Sequence, residues 1–251
     1  MKSLLFILLF SVLNAQQQFG KEIIKSGIED FFVDDYENIY LYSHQDFSFT
    51  KYNKEGRELG RQMFTVPFKI KSVQNPLNIP AFSENAQEVR FFDQYLNTIQ
   101  TVDLRQHFIQ VKDVYIEDLQ QIWVLDEGTR LLQQFRFRDH KILNSFPMTL
   151  DYSSVLDFMI MDEKIFIITS DALQAYNFDG KLLFSTNVEN SQKLRRENNQ
   201  LFVLSKNTIW RFDNQDFDEV FASKHAENVD KNSTSYFEFR DNKVYLYPVK
   251  K

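Results

Sequence analysis

Six side chains fall at one matching place in a pattern that repeats along the chain: Asp30, Lys71, Asp113, Asp157, Lys193 and Tyr236. The three aspartates align when the segments preceding each repeat's main strand are superposed, with the turn one residue shorter in the last three copies. The lysines and the tyrosine fill that place in the other copies. Such a ring of carboxylates, amines and a phenol has two readings. As a site, the carboxylates could hold a hard cation such as Ca²⁺, which takes several oxygens at one point, or the mixed ring could hold a polar ligand. As architecture, an Asp near a strand start accepts backbone N–H groups from neighbouring turns and fixes their geometry. Recurrence favours architecture: a catalytic group is needed once, a structural one in every repeat.

The other chemistry-bearing residues select less. His44, His107, His140 and His225 are far apart and show no metal-ligand spacing. Loops could still bring them together around Zn²⁺, but loop or surface histidine is the default reading. The chain has no Cys, which excludes disulfides, thiolate metal sites and Cys nucleophiles. It has no Gly-rich phosphate loop and no Gly-x-Ser-x-Gly elbow. The run Lys193-Leu194-Arg195-Arg196 reads as a solvated face of a net acidic protein. The sequon Asn232-Ser233-Thr234 matters only in a host that glycosylates such sites. No cofactor is expected, and a channel Ca²⁺ is an unsupported option. The formal charge of −6 argues against nucleic acid or an anionic membrane surface as the main partner.

The elements that position these residues are strands. A content of 26 Phe and 11 Tyr in 251 residues favours pleated, half-buried surfaces and hence an all-β class. A turn followed by a short strand with an aromatic second residue recurs: Asn38-Ile39-Tyr40-Leu41, Gln121-Ile122-Trp123-Val124, Lys164-Ile165-Phe166-Ile167, Gln200-Leu201-Phe202-Val203 and Lys243-Val244-Tyr245-Leu246. With a degenerate copy at Ile79, the anchors are 39, 79, 122, 165, 201 and 244, spaced 36 to 43 residues apart. A second element follows each anchor but the last: Phe49/Tyr52, Ile99/Val102, Leu132/Phe135, Leu173/Tyr176 and Ile209/Phe212. Asn/Asp/Gly turns close several of these units. A third element precedes the anchors, as in Phe31-Phe32-Val33-Asp34-Asp35 and Phe158-Met159-Ile160-Met161-Asp162. It is apolar at consecutive positions, which means burial on both faces.

A period of about 40 residues with three or four short strands each reads as a β-propeller. The expectation is a single propeller of five to seven blades, six preferred, over residues 16–251. The last copy lacks an outer strand, which residues 19–24 could supply, closing the ring between the termini. Units such as Ile122-Trp123-Val124-Leu125-Asp126 leading to Phe135, and Ile165-Phe166-Ile167-Ile168 leading to Tyr176 and Gly180-Lys181, resemble six-bladed propellers of the NHL/TolB-like kind. The resemblance covers roughly residues 28–250. The chain departs from it in having only six Gly, and it lacks the Trp-Asp and Gly-His steps of WD40 repeats. The resemblance also implies an alternative activity, a lactonase-like hydrolase around a channel Ca²⁺. Glu29 with Asp113 or Asp157 could be placed in that role, but no motif carries the transfer.

Residues 67–88 hold Pro67, Pro76 and Pro80, and proline removes ladder hydrogen bonds. They are expected to form either a distorted blade or a long loop in a five-bladed ring, and a protruding binding loop is the favoured use. At the N-terminus, Lys2, an apolar run over residues 4–10 and a small residue at Ala15 read as a signal peptide over residues 1–15. The run is shorter than the ~20 residues of a spanning helix. The expectation is an exported protein, periplasmic, envelope-associated or secreted, that binds an envelope protein or polymer without catalysis.

Overall fold

A computed structural model describes residues 17–19, 30–213 and 216–249. The expected signal segment, Glu29 and residues 20–24 lie outside the described residues. The strands form six four-stranded antiparallel sheets, arranged as a six-bladed propeller. The inner strands, in blade order, are Asp30–Val33, Lys69–Ile70, Val111–Ile116, Asp157–Met161, Ser191–Glu197 and Asn228–Lys231. Among the described residues no helix is long and apolar enough to cross a membrane.

The consecutive apolar positions of these strands are spent on both neighbours. Among the described residues six buried clusters occur, one at each blade-to-blade interface. Phe32 of blade 1 packs with blade 2, whereas Phe31 and Val33 pack with Phe237 and Phe239 of blade 6. Alternate side chains of one strand therefore serve opposite sheets, as the two-residue period of a strand requires.

The shortage of glycine is met by other residues in the left-handed region. The two-residue hairpin turns at Asp162-Glu163, Asn198-Asn199 and Asp241-Asn242 have positive φ at both central positions. That is the turn whose twist matches the flanking strands. At longer turns an aspartate does the work. Asp34 Oδ1 accepts the Tyr36 and Asn38 N–H groups at 2.9 and 2.8 Å, and Asp93 does the same for Tyr95 and Asn97.

Blade 2 is a distorted blade, not a protruding loop. Residues 67–88 supply its inner and second strands, and Phe68, Ile70, Ile79 and Ala81 are buried. Its inner strand has only two residues. The Pro80 carbonyl accepts the Lys71 N–H at 2.9 Å. A strand residue turns its N–H and C=O to the same side, so the donor proline lacks is the one that would continue this pairing. Blade 2 also corrects the repeat: Ile99 lies on the exposed outer strand Thr98–Asp103, and the pair equivalent to Phe49/Tyr52 is Val89/Phe92.

The ring closes between the termini. Gln17–Phe19 adds antiparallel to Lys243–Pro248, with Gln17 opposite Leu246 and Phe19 opposite Val244. The third strand of blade 6 therefore carries Val244, whereas the other five anchors lie on second strands. Beside the closure, Asn232 is buried, with its amide on the Asp34 carbonyl and the Thr234 and Ser235 N–H groups. The sequon asparagine is thus a structural residue of the folded ring.

Candidate functional site

The inner strands run along one channel, and their side chains form two ion clusters. The first joins blades 2, 3 and 4. Lys71 Nζ donates to Asp113 Oδ1 at 2.8 Å and to Asp157 Oδ1 at 2.6 Å. Lys69, two residues earlier on the same face, donates to Asp113 Oδ2 at 2.7 Å and to the Leu156 carbonyl. Burial opposes the charge on Lys69, but the two carboxylates outweigh it and hold its pKa above the ordinary lysine value. Burial likewise opposes the charge on Asp157, and the two ammonium groups with the Leu194 N–H bring its pKa down to about 2.

The second cluster joins blades 5, 6 and 1. Lys193 Nζ donates to the Phe31 carbonyl at 2.6 Å, stands 3.3 Å from Asp230 Oδ2 and lies 4.1 Å from the centre of the Phe32 ring. Burial is the main cause that lowers the Lys193 pKa, with Asp230 and Asp30 opposing it. Arg195 lies deeper along the same strand, and Lys231 donates to Glu197. The run Lys193-Leu194-Arg195-Arg196 is therefore an inner strand, with Lys193 and Arg195 turned inward, rather than a solvated face.

The aspartates also staple blades. Asp157 accepts the Phe158 N–H on Oδ1 at 3.1 Å and, from the next blade, the Leu194 N–H on Oδ2 at 2.8 Å. Asp230 does the same with the Lys231 N–H and the Val33 N–H, both at 2.8 Å. Each carboxylate thus holds two inner strands together through backbone donors.

Of the six expected ring residues, Lys71, Asp113 and Asp157 meet in the first cluster and Lys193 lies in the second. Asp30 stands apart at the mouth where the inner strands begin, 3.4 Å from His44 Nε2. Tyr236 is not on the ring. It sits on the second strand of blade 6, Ser235–Arg240, and stacks on Phe221 at 5.2 Å. Blade 6 contributes Asp230 instead. Lys69, Arg195 and Asp230 are additions. Lys69 was legible from its two-residue spacing to Lys71; Asp230 required the strand count of the closed ring.

A cation between Asp113 and Asp157 would have to displace ammonium groups that already occupy that position. Among the described residues, no group of three or more His, Asp and Glu side chains could hold a metal ion. His107 Nε2 and His140 Nδ1 do meet, 3.1 Å apart on the exposed rim of blade 3.

The mouth where the inner strands end opens into a cavity of about 450 Å³. Gln74, from the long blade 2 connection, spans this mouth and donates to the Arg196 carbonyl of blade 5 at 2.9 Å. A second depression, about 500 Å³, lies between blades 1 and 2 and is lined by Tyr36, Lys51, Leu59, Leu77 and Tyr95.

No protein-family model and no curated protein matches the chain. Solved structures match it at low identity. A streptogramin B lyase structure aligns with a TM-score of 0.55 and 13% identity over 94% of this chain and 87% of that one. A catalytically inactive virginiamycin B lyase from Staphylococcus aureus with quinupristin aligns with a TM-score of 0.50 and 11% identity, over 94% and 88%. BamB from Moraxella catarrhalis gives a TM-score of 0.48 and 8% identity, over 87% and 84%. The lyase likenesses show the propeller fold.

Proposed function

We propose that this chain is a non-catalytic binding module: an exported six-bladed propeller that docks a protein of the cell envelope. The observation that carries this reading is the state of the channel carboxylates. Asp113, Asp157 and Asp230 are each engaged by the chain's own cations and backbone N–H groups, so none stands ready as a base, a nucleophile or a cation ligand. That argues against the lactonase-like alternative. Export rests on the character of residues 1–15.

The docking face is the cleft between blades 1 and 2. Tyr36, Leu77 and Tyr95 are 75%, 65% and 63% exposed, and Leu59 stands with them. Exposed apolar groups gathered in one depression mark interaction sites, and tyrosine is enriched at such interfaces. The cleft is built with close tolerances. A Cβ on Gly60 would sit 2.7 Å from the Tyr95 carbonyl oxygen. Lys51, buried beneath, donates to the Gln94 carbonyl at 3.1 Å, and burial lowers its pKa.

The test is a crosslinked recovery of partners from the native envelope, with Tyr36→Ser, Leu77→Ser and Tyr95→Ser combined. The expected result is one partner near stoichiometry with the wild-type chain and its loss with a triple variant that melts like wild type. Recovery of the same partner by both chains would show that it docks elsewhere, and recovery of none would remove the reading.

A further inference from the structure

The 450 Å³ cavity at the far mouth carries an unmet chemical demand. Its volume lies within the roughly 300–1,000 Å³ of small-molecule sites. Its wall holds Lys71, Lys193, Arg195 and Arg196 against three carboxylates, Asp157, Glu197 and Asp230. One cation is in excess, in a chain whose formal charge is −6.

The under-partnered cation is Arg195. Its side chain is only 7% exposed, and neither Nε nor Nη2 has a hydrogen-bond partner. Its closest carboxylate oxygens, on Glu197 and Asp230, stand at 3.5 and 3.6 Å, and Nη1 reaches the Val33 carbonyl only at 3.4 Å. All three exceed the usual N–H···O range. Those carboxylates are committed elsewhere: Glu197 accepts from Lys231, and Asp230 accepts two backbone N–H groups. A guanidinium presents a planar fork of donors that fits a carboxylate with two parallel bonds. Leaving such donors buried and unpaired is unfavourable. Beside these charged groups the wall carries an apolar part, from Phe32, Tyr115 and Met159.

We infer that this cavity binds a small organic carboxylate, with its anionic end on Arg195 and its apolar body against Phe32, Tyr115 and Met159. Nε and Nη2 lie beneath the cavity surface, so binding turns the guanidinium toward the ligand. Gln74, bridged to Arg196 across the mouth, sits where it borders the entering molecule. This site is separate from the cleft of blades 1 and 2 and goes beyond the docking reading.

The experiment is calorimetric titration of the full chain with octanoate and phenylacetate, each against its neutral primary amide. The expected result is an acid bound roughly tenfold or more tighter than its amide, the preference a charge-assisted bidentate contact gives. Arg195→Gln brings that preference to about one, whereas Arg105→Gln, an exposed cation of blade 2 outside the cavity wall, changes it less than about threefold. If Arg195→Gln does not fold, Tyr115→Trp narrows the cavity without altering a charge and is expected to weaken binding of both acids. Equal binding of acid and amide to the wild-type chain, or binding of neither, overturns the inference, as does acid binding that survives both Arg195→Gln and Tyr115→Trp.

Discussion

Replacing Asp157 by Asn separates the two roles its position in the channel suggests. The substitution keeps the side chain's shape and removes its charge. Asp157 loses its attraction to Lys71 Nζ at 2.6 Å and to Lys69 Nζ at 3.3 Å. The amide can accept from either the Phe158 or the Leu194 N–H through its one oxygen, but not from both in the carboxylate's arrangement. A carboxyl held at about 2 instead of 3.8 favours its charged form in the folded chain by roughly 2–3 kcal/mol. Removing one partner of a buried pair costs ~3–5 kcal/mol, but Lys71 keeps Asp113 at 2.8 Å. The expected loss is therefore about 2–4 kcal/mol, roughly 5–15 °C in Tm for a chain of this size. The assay is urea unfolding with and without millimolar Ca²⁺. A structural aspartate gives the same loss in both conditions. A loss below about 0.5 kcal/mol, or a wild-type chain that Ca²⁺ stabilises while the variant is indifferent, would refute the staple and restore a cation site.

The same carboxyl sets a pH dependence. Its folded pKa is lowered, so its stabilisation is complete above about 3.8 and is lost as pH falls toward 2. The stability gap between wild type and Asp157→Asn should be flat from pH 7 to about 4 and close below it, read by urea midpoints at each pH. Gln87 bridges blades 2 and 3, taking the Val111 N–H at 2.7 Å and donating to the Val111 carbonyl at 2.9 Å. Gln87→Leu leaves both unpaired and should cost about 2–4 kcal/mol in chemical denaturation. Glu163 holds a φ of 59° in a two-residue turn. Glu163→Gly should raise stability by about 0.5–1 kcal/mol with an unchanged urea m-value, because glycine relieves the left-handed strain and returns part of the gain as chain entropy.

The propeller was legible because burial on both faces leaves an unbroken apolar signature. Strands such as Phe31-Phe32-Val33 cannot hide it, and five of six anchors fall on second strands. The sixth lies on a third strand, and its composition hides this for a physical reason. Val244-Tyr245-Leu246 has the same apolar and aromatic composition as a second strand, since third strands are also packed between blades. Composition does not report distance from the axis. That one-strand slip carried Tyr236 to the ring and left Asp230 out. Blade 2 was obscured by Pro80, although Val89 stands ten residues after Ile79, as Phe49 stands ten after Ile39. The aspartates' architectural role was legible in their recurrence, but their lysine partners were not. Lys71 reaches Asp113 and Asp157 from 42 and 86 residues away, and no local spacing encodes such a meeting.

The closing strand also sets an order of assembly. Gln17 faces Leu246 across 229 residues, whereas each hairpin joins strands only a few residues apart. Closing a free loop of that length costs about 5 kcal/mol of chain entropy, against about 2 kcal/mol for a ten-residue hairpin. Three backbone partners do not repay that difference in an extended chain. They do so after blades 1 to 6 have stacked and brought the ends side by side. A strand that precedes all the blades in the chain is thus seated last, and until then the Lys243–Pro248 strand is an open template for any passing strand. Refolding should accordingly show a late phase whose product resists strand exchange between molecules, and slow closure favours dimers that trade their N-terminal strands.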